Sequence, residues 1–429
     1  EDYGYLALIV FWLSFEYVHL NWQLSWPWLT LGNVFALHPG WAQLYEYTGT
    51  SGGSLWILLT NILVFRLINK TTVNTGARRR QRLISLALCL VLPFFISVLV
   101  SPADAKIGTG TKNVVVVQPN IDPYEKFEAA SQQGQLQILI SLSESRMDSG
   151  TALVVWPETA INYVTGIDET RLKDNPFLQP VWAFLERHPN VSLLSGIESY
   201  QTYTADNKTP TARQIRGADQ YYDTYNTAGL LTKNGIVQLY HKSKLVPGVE
   251  TLPSFLKFLD TWFEQFGGTS GGYAPQAERT VLIDARNGYK IAPAICYESI
   301  YGEFLTSYIR NGANVIAIIT NDGWWANTSG HKQHMQYARL RAIETRRWVV
   351  RSANTGISCF ISPGGEIFDR RPWDIAASIR FQVPQQERQT FYVMYGDIIS
   401  RSAIIISVII LILSPSLWLR NKFQQSKNG

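Results

Sequence analysis

Residues 83–103 (LISLALCLVLPFFISVLVSPA) carry no charge, and residues 402–419 (SAIIISVIILILSPSLWL) are equally uncharged. At about 1.5 Å rise per residue, helices of these lengths span roughly 27–31 Å, the thickness of a bilayer core. Two weaker candidate spans lie near 5–20 and 52–68. The first carries Glu16 and His19 towards its end, so it is either shorter or packs a polar residue inside a bundle. Pro93 and Pro415 are expected to kink their helices, which membrane bundles tolerate. The mean hydropathy of −0.04 hides this division, because an ordinary polar region separates the apolar ends. Six of the fourteen Trp precede residue 57, and Trp favours membrane interfaces. The first residue is Glu, so the chain is expected to be a piece whose earlier helices are missing.

Basic residues set an expected orientation. Arg66, Lys70, Arg78, Arg79, Arg80 and Arg82 crowd the connection between the second and third spans, and Arg420, Lys422 and Lys427 follow the last. The positive-inside rule assigns both segments to the cytoplasm. The expected division is a membrane region over 1–104, an extracytoplasmic domain over 105–400, and a returning helix with a basic tail over 401–429. A net charge of +5, with no basic stretch interleaved with aromatics, gives no sign of nucleic-acid binding.

The central region alternates strand and helix signals, as an α/β domain does. Strands are expected at 113–118, 152–156, 191–194, 225–231, 281–284, 290–295 and 314–320. Helices are expected at 124–147 and, with an amphipathic pattern, at 333–346. Residues 267–272 (GGTSGG) read as a mobile loop. Three cysteines make no disulfide framework. Cys89 lies in an apolar run and Cys359 reads as a core strand residue, which leaves Cys296.

Cys296 ends an apolar strand in IAPAICYESIY (291–301). Glu158 stands just past a strand in VVWPETA (154–160), and Lys242 lies in YHKSKLVPGVE (240–250). Alone, each is a common packing or surface residue. Together they supply the parts of cysteine acyl chemistry: a thiol nucleophile, a carboxylate to take its proton and an ammonium to hold the oxyanion. His241, His331 and His334 sit in no recognisable Cys/His protease context. Covalent cysteine chemistry needs no metal or cofactor.

These motifs, with TNDGWW at 320–325, resemble the carbon–nitrogen hydrolase (nitrilase) superfamily. WPWLTLGN at 26–33, YEYTGTSGGSLW at 45–56, VQPNI at 117–121, YNTAGLL at 225–231, QHMQYARLRAIETRR at 333–347 and RSANTGIS at 351–358 narrow the likeness to its membrane-embedded branch, the apolipoprotein N-acyltransferases. The resemblance implies a nitrilase-type α-β-β-α sandwich attached to a transmembrane helical bundle in the bacterial inner membrane, with the domain on the periplasmic side. It implies that Glu158 is the general base, Lys242 the oxyanion holder and Cys296 the acyl carrier. Glu250 matches a second essential glutamate, and Asn226, Tyr297 and Glu298 match residues that support the pocket. Trp324, Trp325, the 267–272 loop and the stretch 252–266 are candidates for lining the entrance. The implied donor is a phospholipid, typically phosphatidylethanolamine, and the acceptor a diacylglyceryl-apolipoprotein; a monomer is the simplest expectation. Two departures stand out: LVPGVE replaces the family's LVPFGE, and Phe127 stands where Trp is common. A membrane-anchored amidase using the same three residues, and an inactive lipoprotein-binding scaffold, remain alternative readings.

Overall fold

The computed structural model describes residues 2–69, 76–102, 109–122, 126, 132–163, 165–253, 255–256 and 272–427. Phe127, most of the 252–266 stretch and all but Gly272 of the 267–272 loop fall outside them.

Four successive valines, Val114–Val117, form the heart of strand β1 (Thr109–Gln118), and all four are fully buried. Burial on both faces marks the strand as the interior of a layered sandwich. The first sheet continues with β2 (Thr151–Val155), β3 (Ile167–Asp168), β4 (Ser192–Tyr203), β5 (Arg213–Gln214), β6 (Tyr221–Leu231) and β7 (Val237–His241). The second is built from β8 (Leu282–Asp284), β9 (Tyr289–Ile295), β10 (Val315–Thr320), β11 (Val349–Ala353), β12 (Cys359–Ile361) and β13 (Ile367–Phe368) in order. The last strand, β14 (Ala377–Gln385), returns to pair antiparallel with β1. Parallel pairing joins β1 to β2, β2 to β4, β9 to β10 and β10 to β11.

Alternation along β1 divides the core. Val114 and Val116 pack with Ile291, Ala292 and Ile316 of the second sheet. Val115 and Val117 pack with Leu136 and Leu139 of one outer helix and Val181 and Phe184 of another. On the far side of the second sheet lie Leu305 and Tyr308, and Met335 and Leu340, from two further helices. The result is the α-β-β-α layering expected of the domain. Cys359 is buried in β12, as its strand reading requires. The expected helix at 124–147 is described only over Gln132–Glu144.

Helix α1 (Asp2–Asn21), α2 (Tyr45–Ile68) and α3 (Gly76–Val100) are each long and apolar enough to cross a membrane. The outer helices just described are α4 (Gln132–Glu144) and α5 (Gln179–Arg187), then α6 (Gly302–Arg310) and α7 (Gly330–Thr345). After the short α8 (Phe391–Tyr395), the C-terminal α9 (Ile398–Lys427) packs on α1 and α2 through Ala403, Val10, Leu13 and Leu58. Leu88, Val91, Phe95 and Leu99 of α3 and Ile405, Ile409 and Ile412 of α9 remain exposed, an apolar belt too continuous for water. Helix α3 continues through Pro93. Glu16 settles the question posed by α1: it lies inside the bundle, accepting from Ser54 Oγ at 2.6 Å, Leu31 N at 2.9 Å and Trp12 Nε1 at 3.0 Å. A buried carboxylate is tolerated when donors surround it.

The bundle is locked to the catalytic layers. Helix α2 kinks at Gly49, whose φ of 60° favours glycine and whose missing Cβ leaves room for the ring of Tyr392 in α8. Arg346, the left-handed residue ending α7, pairs with buried Glu46 of α2 and donates to Gln43 Oε1 at 2.6 Å and Pro363 O at 2.9 Å. Removing one partner of a buried pair strands the other charge. Arg388 still reaches Glu46 at 3.5 Å, so Arg346→Ala should lower unfolding free energy in detergent by about 3 kcal/mol, the low end for a broken buried pair. A loss near zero would show that the ion pair does not hold the two parts together.

Candidate active site

Parallel strands end together, and loops after their C-terminal ends can gather side chains from distant positions. Glu158 follows β2 and Cys296 follows β9. Lys242 comes directly after β7, its N–H bonded to Asn226 O at 2.9 Å on neighbouring β6.

The Glu158 loop lies flat on β4. A Cβ on Gly196 would come within 2.6 Å of Glu158 Cα and Pro157 O, so only glycine allows this approach. From the other side, fully buried Lys126 donates to Glu158 O at 2.8 Å and Thr159 Oγ1 at 2.7 Å. Burial lowers the Lys126 ammonium to about 8, against the pull of Glu158 and Glu198. The Glu158 carboxylate thus has a fixed origin. It accepts from Asn226 Nδ2 at 2.7 Å, Lys242 Nζ at 3.1 Å and the Asn321 backbone N–H at 3.0 Å.

Lys242 is shared. Its ammonium reaches Glu250 Oε1 at 2.7 Å as well as Glu158, and Asn226 Nδ2 also donates to Glu250 at 3.2 Å. Burial would lower Lys242, but the two carboxylates outweigh it and raise the ammonium well above the usual lysine range. The LVPGVE departure leaves this contact possible: Gly248 takes φ 84°, the chain turns back, and Val246 N donates to Glu250 Oε2 at 2.8 Å.

Cys296 is half-buried and sits at φ 50°, a strained turn for a residue with a Cβ. Burial and then the charge of Glu158 push its thiol upward, and Lys242 only partly opposes them. Lys242, expected to hold the oxyanion, is shared at rest with two carboxylates, and burial and Glu158 act on the thiol against it.

Glu298 braces the site. Buried and deprived of water, its carboxyl is raised despite accepting from Tyr240 OH, Ser243 N, Lys244 N and Ile295 N at 2.6, 2.6, 3.2 and 2.8 Å. One side chain thereby ties the Lys242 loop to the Cys296 turn. Tyr297 donates to Ser25 O at 2.5 Å and stacks on Trp28 at 6.0 Å between ring centres. Trp28 also meets the edge of Trp325 at 5.7 Å. The WPW segment between α1 and α2 is therefore a wall beside the cysteine. Trp324 is 52% exposed. His241 contacts Glu169 at 2.8 Å, away from the thiol cluster. Sequence reasoning missed Lys126, which has no motif signal, and the backbone role of Asn321, hidden inside TNDGWW.

Lys242→Met should strand both carboxylates and cost about 3–5 kcal/mol of stability at pH 7.5. Because the folded-state lysine is raised, its contribution is complete below the unfolded value of about 10.4 and is lost only above it. The stability gap between wild type and variant should thus stay level from pH 7 to 9.5 in detergent unfolding curves. A gap that closes over that range would mean Lys242 titrates early.

The carbon-nitrogen hydrolase family model matches residues 113–390 and the apolipoprotein N-acyltransferase N-terminal domain matches residues 3–63. An apolipoprotein N-acyltransferase of Chlorobaculum tepidum is 31% identical over 92% of this chain and 74% of its own length. Those of Geobacter metallireducens and Thermotoga maritima are 28% and 25% identical, over 93% and 97% of this chain and 72% of their own lengths. With one family model over the sandwich and the other over the membrane helices and the Trp28 wall, this chain belongs to the carbon–nitrogen hydrolase superfamily and, within it, to the apolipoprotein N-acyltransferases.

Proposed function

We propose that this membrane protein N-acylates lipoproteins, moving a fatty acyl chain from phosphatidylethanolamine through a thioester on Cys296 to the α-amine of a diacylglyceryl-cysteine. The observation that carries this reading is the Glu158–Lys242–Glu250 cluster beside a strained cysteine, walled by a segment of the membrane helices. A soluble amide hydrolase would gain nothing from such a wall. A lipid substrate gains much, since exposing acyl chain to water costs about 0.8 kcal/mol per CH₂.

In the first half-reaction the Cys296 sulfur attacks the sn-1 ester carbon while Glu158 accepts the thiol proton. Lys242 faces the developing oxyanion, where a fixed charge in a dry site is worth most. The intermediate collapses, the C–O bond breaks, and Glu158 returns the proton to the departing lysophospholipid hydroxyl. In the second half the lipoprotein amine attacks the thioester carbon. Glu158 takes the proton released from nitrogen, the C–S bond breaks, and that proton returns to sulfur. Glu250 and Asn226 keep Lys242 and Glu158 in register throughout.

The basic end of α3, Arg78–Arg82, lies at the opposite end of that helix from the chain leading into β1. Under the positive-inside rule this supports a cytoplasmic basic end, an inner-membrane location and a periplasmic domain.

Incubation of the purified protein with phosphatidylethanolamine alone should leave a hydroxylamine-sensitive acyl adduct on Cys296, read by intact-protein and peptide mass spectrometry. Cys296→Ala should abolish it, and Glu158→Ala and Lys242→Ala should suppress it. An adduct that survives Cys296→Ala refutes the nucleophile, and release of free fatty acid without an adduct favours hydrolysis.

A further inference from the structure

Beneath the Cys296 turn, four elements bring a buried polar cluster together. His334 comes from α7, Asp322 from the turn after β10, Arg351 from β11 and Ser299 from the turn after the cysteine. All four are buried. Asp322 Oδ1 contacts His334 Nδ1 at 2.9 Å and accepts from Thr320 Oγ1 at 2.9 Å; its Oδ2 accepts from Arg351 Nη2 at 2.8 Å. On the other ring nitrogen, His334 Nε2 lies 3.1 Å from the main-chain carbonyl oxygen of Cys296 and 2.8 Å from Ser299 Oγ. Ser299 Oγ itself donates to the same carbonyl at 2.7 Å. None of these side chains belongs to the acyl-transfer cluster described above.

Proton counting assigns the donors. Burial alone would raise Asp322, but Arg351 and His334 outweigh it and hold the carboxyl well below its usual range. On its Nδ1 side the ring faces the Asp322 carboxylate at 2.9 Å and Arg351 Nη2 at 3.1 Å. The Cys296 carbonyl can only accept, and Ser299 has one hydroxyl proton, already directed at that carbonyl. A bare Nε2 would then stand 3.1 Å from a carbonyl oxygen with one proton between two acceptors. A proton on Nε2 satisfies the contact with the Cys296 carbonyl. Asp322 contacts both the ring and Arg351, and Trp325 meets the ring edge-on at 5.2 Å.

We infer that His334 is a positioning residue for the nucleophile: clamped by Asp322, its Nε2–H grips the Cys296 carbonyl and holds the strained turn that presents the thiol. Carbonyl and N–H of one peptide unit point in opposite directions, so the same grip fixes where the Tyr297 N–H points. The energetic need is local. A cysteine at φ 50° stays there only if its surroundings over-determine it, and its carbonyl is met by both His334 Nε2 and Ser299 Oγ.

This inference rests on Cys296 being the acyl carrier, and the experiment separates the two. In detergent with phosphatidylethanolamine, single-turnover adduct formation is followed for wild type, His334→Ala and His334→Gln. Absence of any Cys296 adduct in wild type would sink the functional reading itself. With that adduct present, His334→Ala should slow its formation about 100-fold, the order expected for misplacing a reacting group by about an ångström. The half-saturating lipid concentration should stay unchanged, and His334→Gln, which keeps an N–H donor, should recover most of the rate. Wild-type speed in His334→Ala, or His334→Gln as slow as the alanine variant, overturns the inference. Should the alanine variant fail to fold, ¹⁵N-histidine NMR of the wild-type protein still decides. The His334 ring, assigned by its loss in His334→Gln, should carry a proton on Nε2; an unprotonated Nε2 overturns the inference.

Discussion

One buried ammonium divided between two carboxylates governs the chemistry of this fold. Lys242 alone in a dry pocket would lose its proton. The two carboxylates beside it outweigh that burial, and Asn226 spaces them by donating to both. The arrangement resembles a buried triad whose value lies in specificity more than in stability. Its consequence is directional. A lysine neutralised twice offers little to a resting thiol, but when negative charge grows on a substrate oxygen the same lysine can turn to it without leaving its partners. Transition-state stabilisation of this kind is differential by construction.

The scaffold delivers these groups by ending parallel strands at one edge. β2 carries the chain into Glu158 and β9 into Cys296, while the Asn226–Lys242 backbone bond sets the lysine beside both. Glu298 then couples the lysine loop to the cysteine turn through four accepted hydrogen bonds. The membrane bundle is part of this design as well as an anchor. Ser25 and Trp28, which follow α1, reach Tyr297 directly, and Arg346–Glu46 ties the end of α7 to the start of α2. The segment after α1 is thereby set beside the Cys296 turn without a flexible linker between them.

Much of this was legible in the sequence, for identifiable reasons. The absence of charge over 83–103 and 402–419 reads as apolar helix, and α3 and α9 stand there, α3 being long and apolar enough to cross a membrane. The valine run at 114–117 and the apolar run at 315–319 read as strands because buried parallel strands need apolar side chains on both faces. Strands such as Val349–Ala353 escaped, since Arg351 and Ser352 interrupt the apolar pattern and find partners distant in sequence, Asp322 and the Val117 carbonyl among them. Glu16 could be read two ways until Ser54 and Leu31 were found around it. The three residues proposed to react were visible as motifs, but their mutual charge balance was not. That balance depends on Glu250 meeting Lys242 through a turn in which Gly248 takes positive φ. Lys126 had no signal at all, because what it holds is a backbone carbonyl.

The central claim is that the sulfur is protonated at rest, its lysine neighbour being already engaged. Thiolate absorbance near 240 nm, taken as wild type minus Cys296→Ala across pH 6–10 without lipid, tests it most directly. The account predicts no thiolate band at pH 7.5 and a rise only at the alkaline end. A full band at neutral pH would contradict it, showing that the ammonium serves the sulfur rather than the two carboxylates.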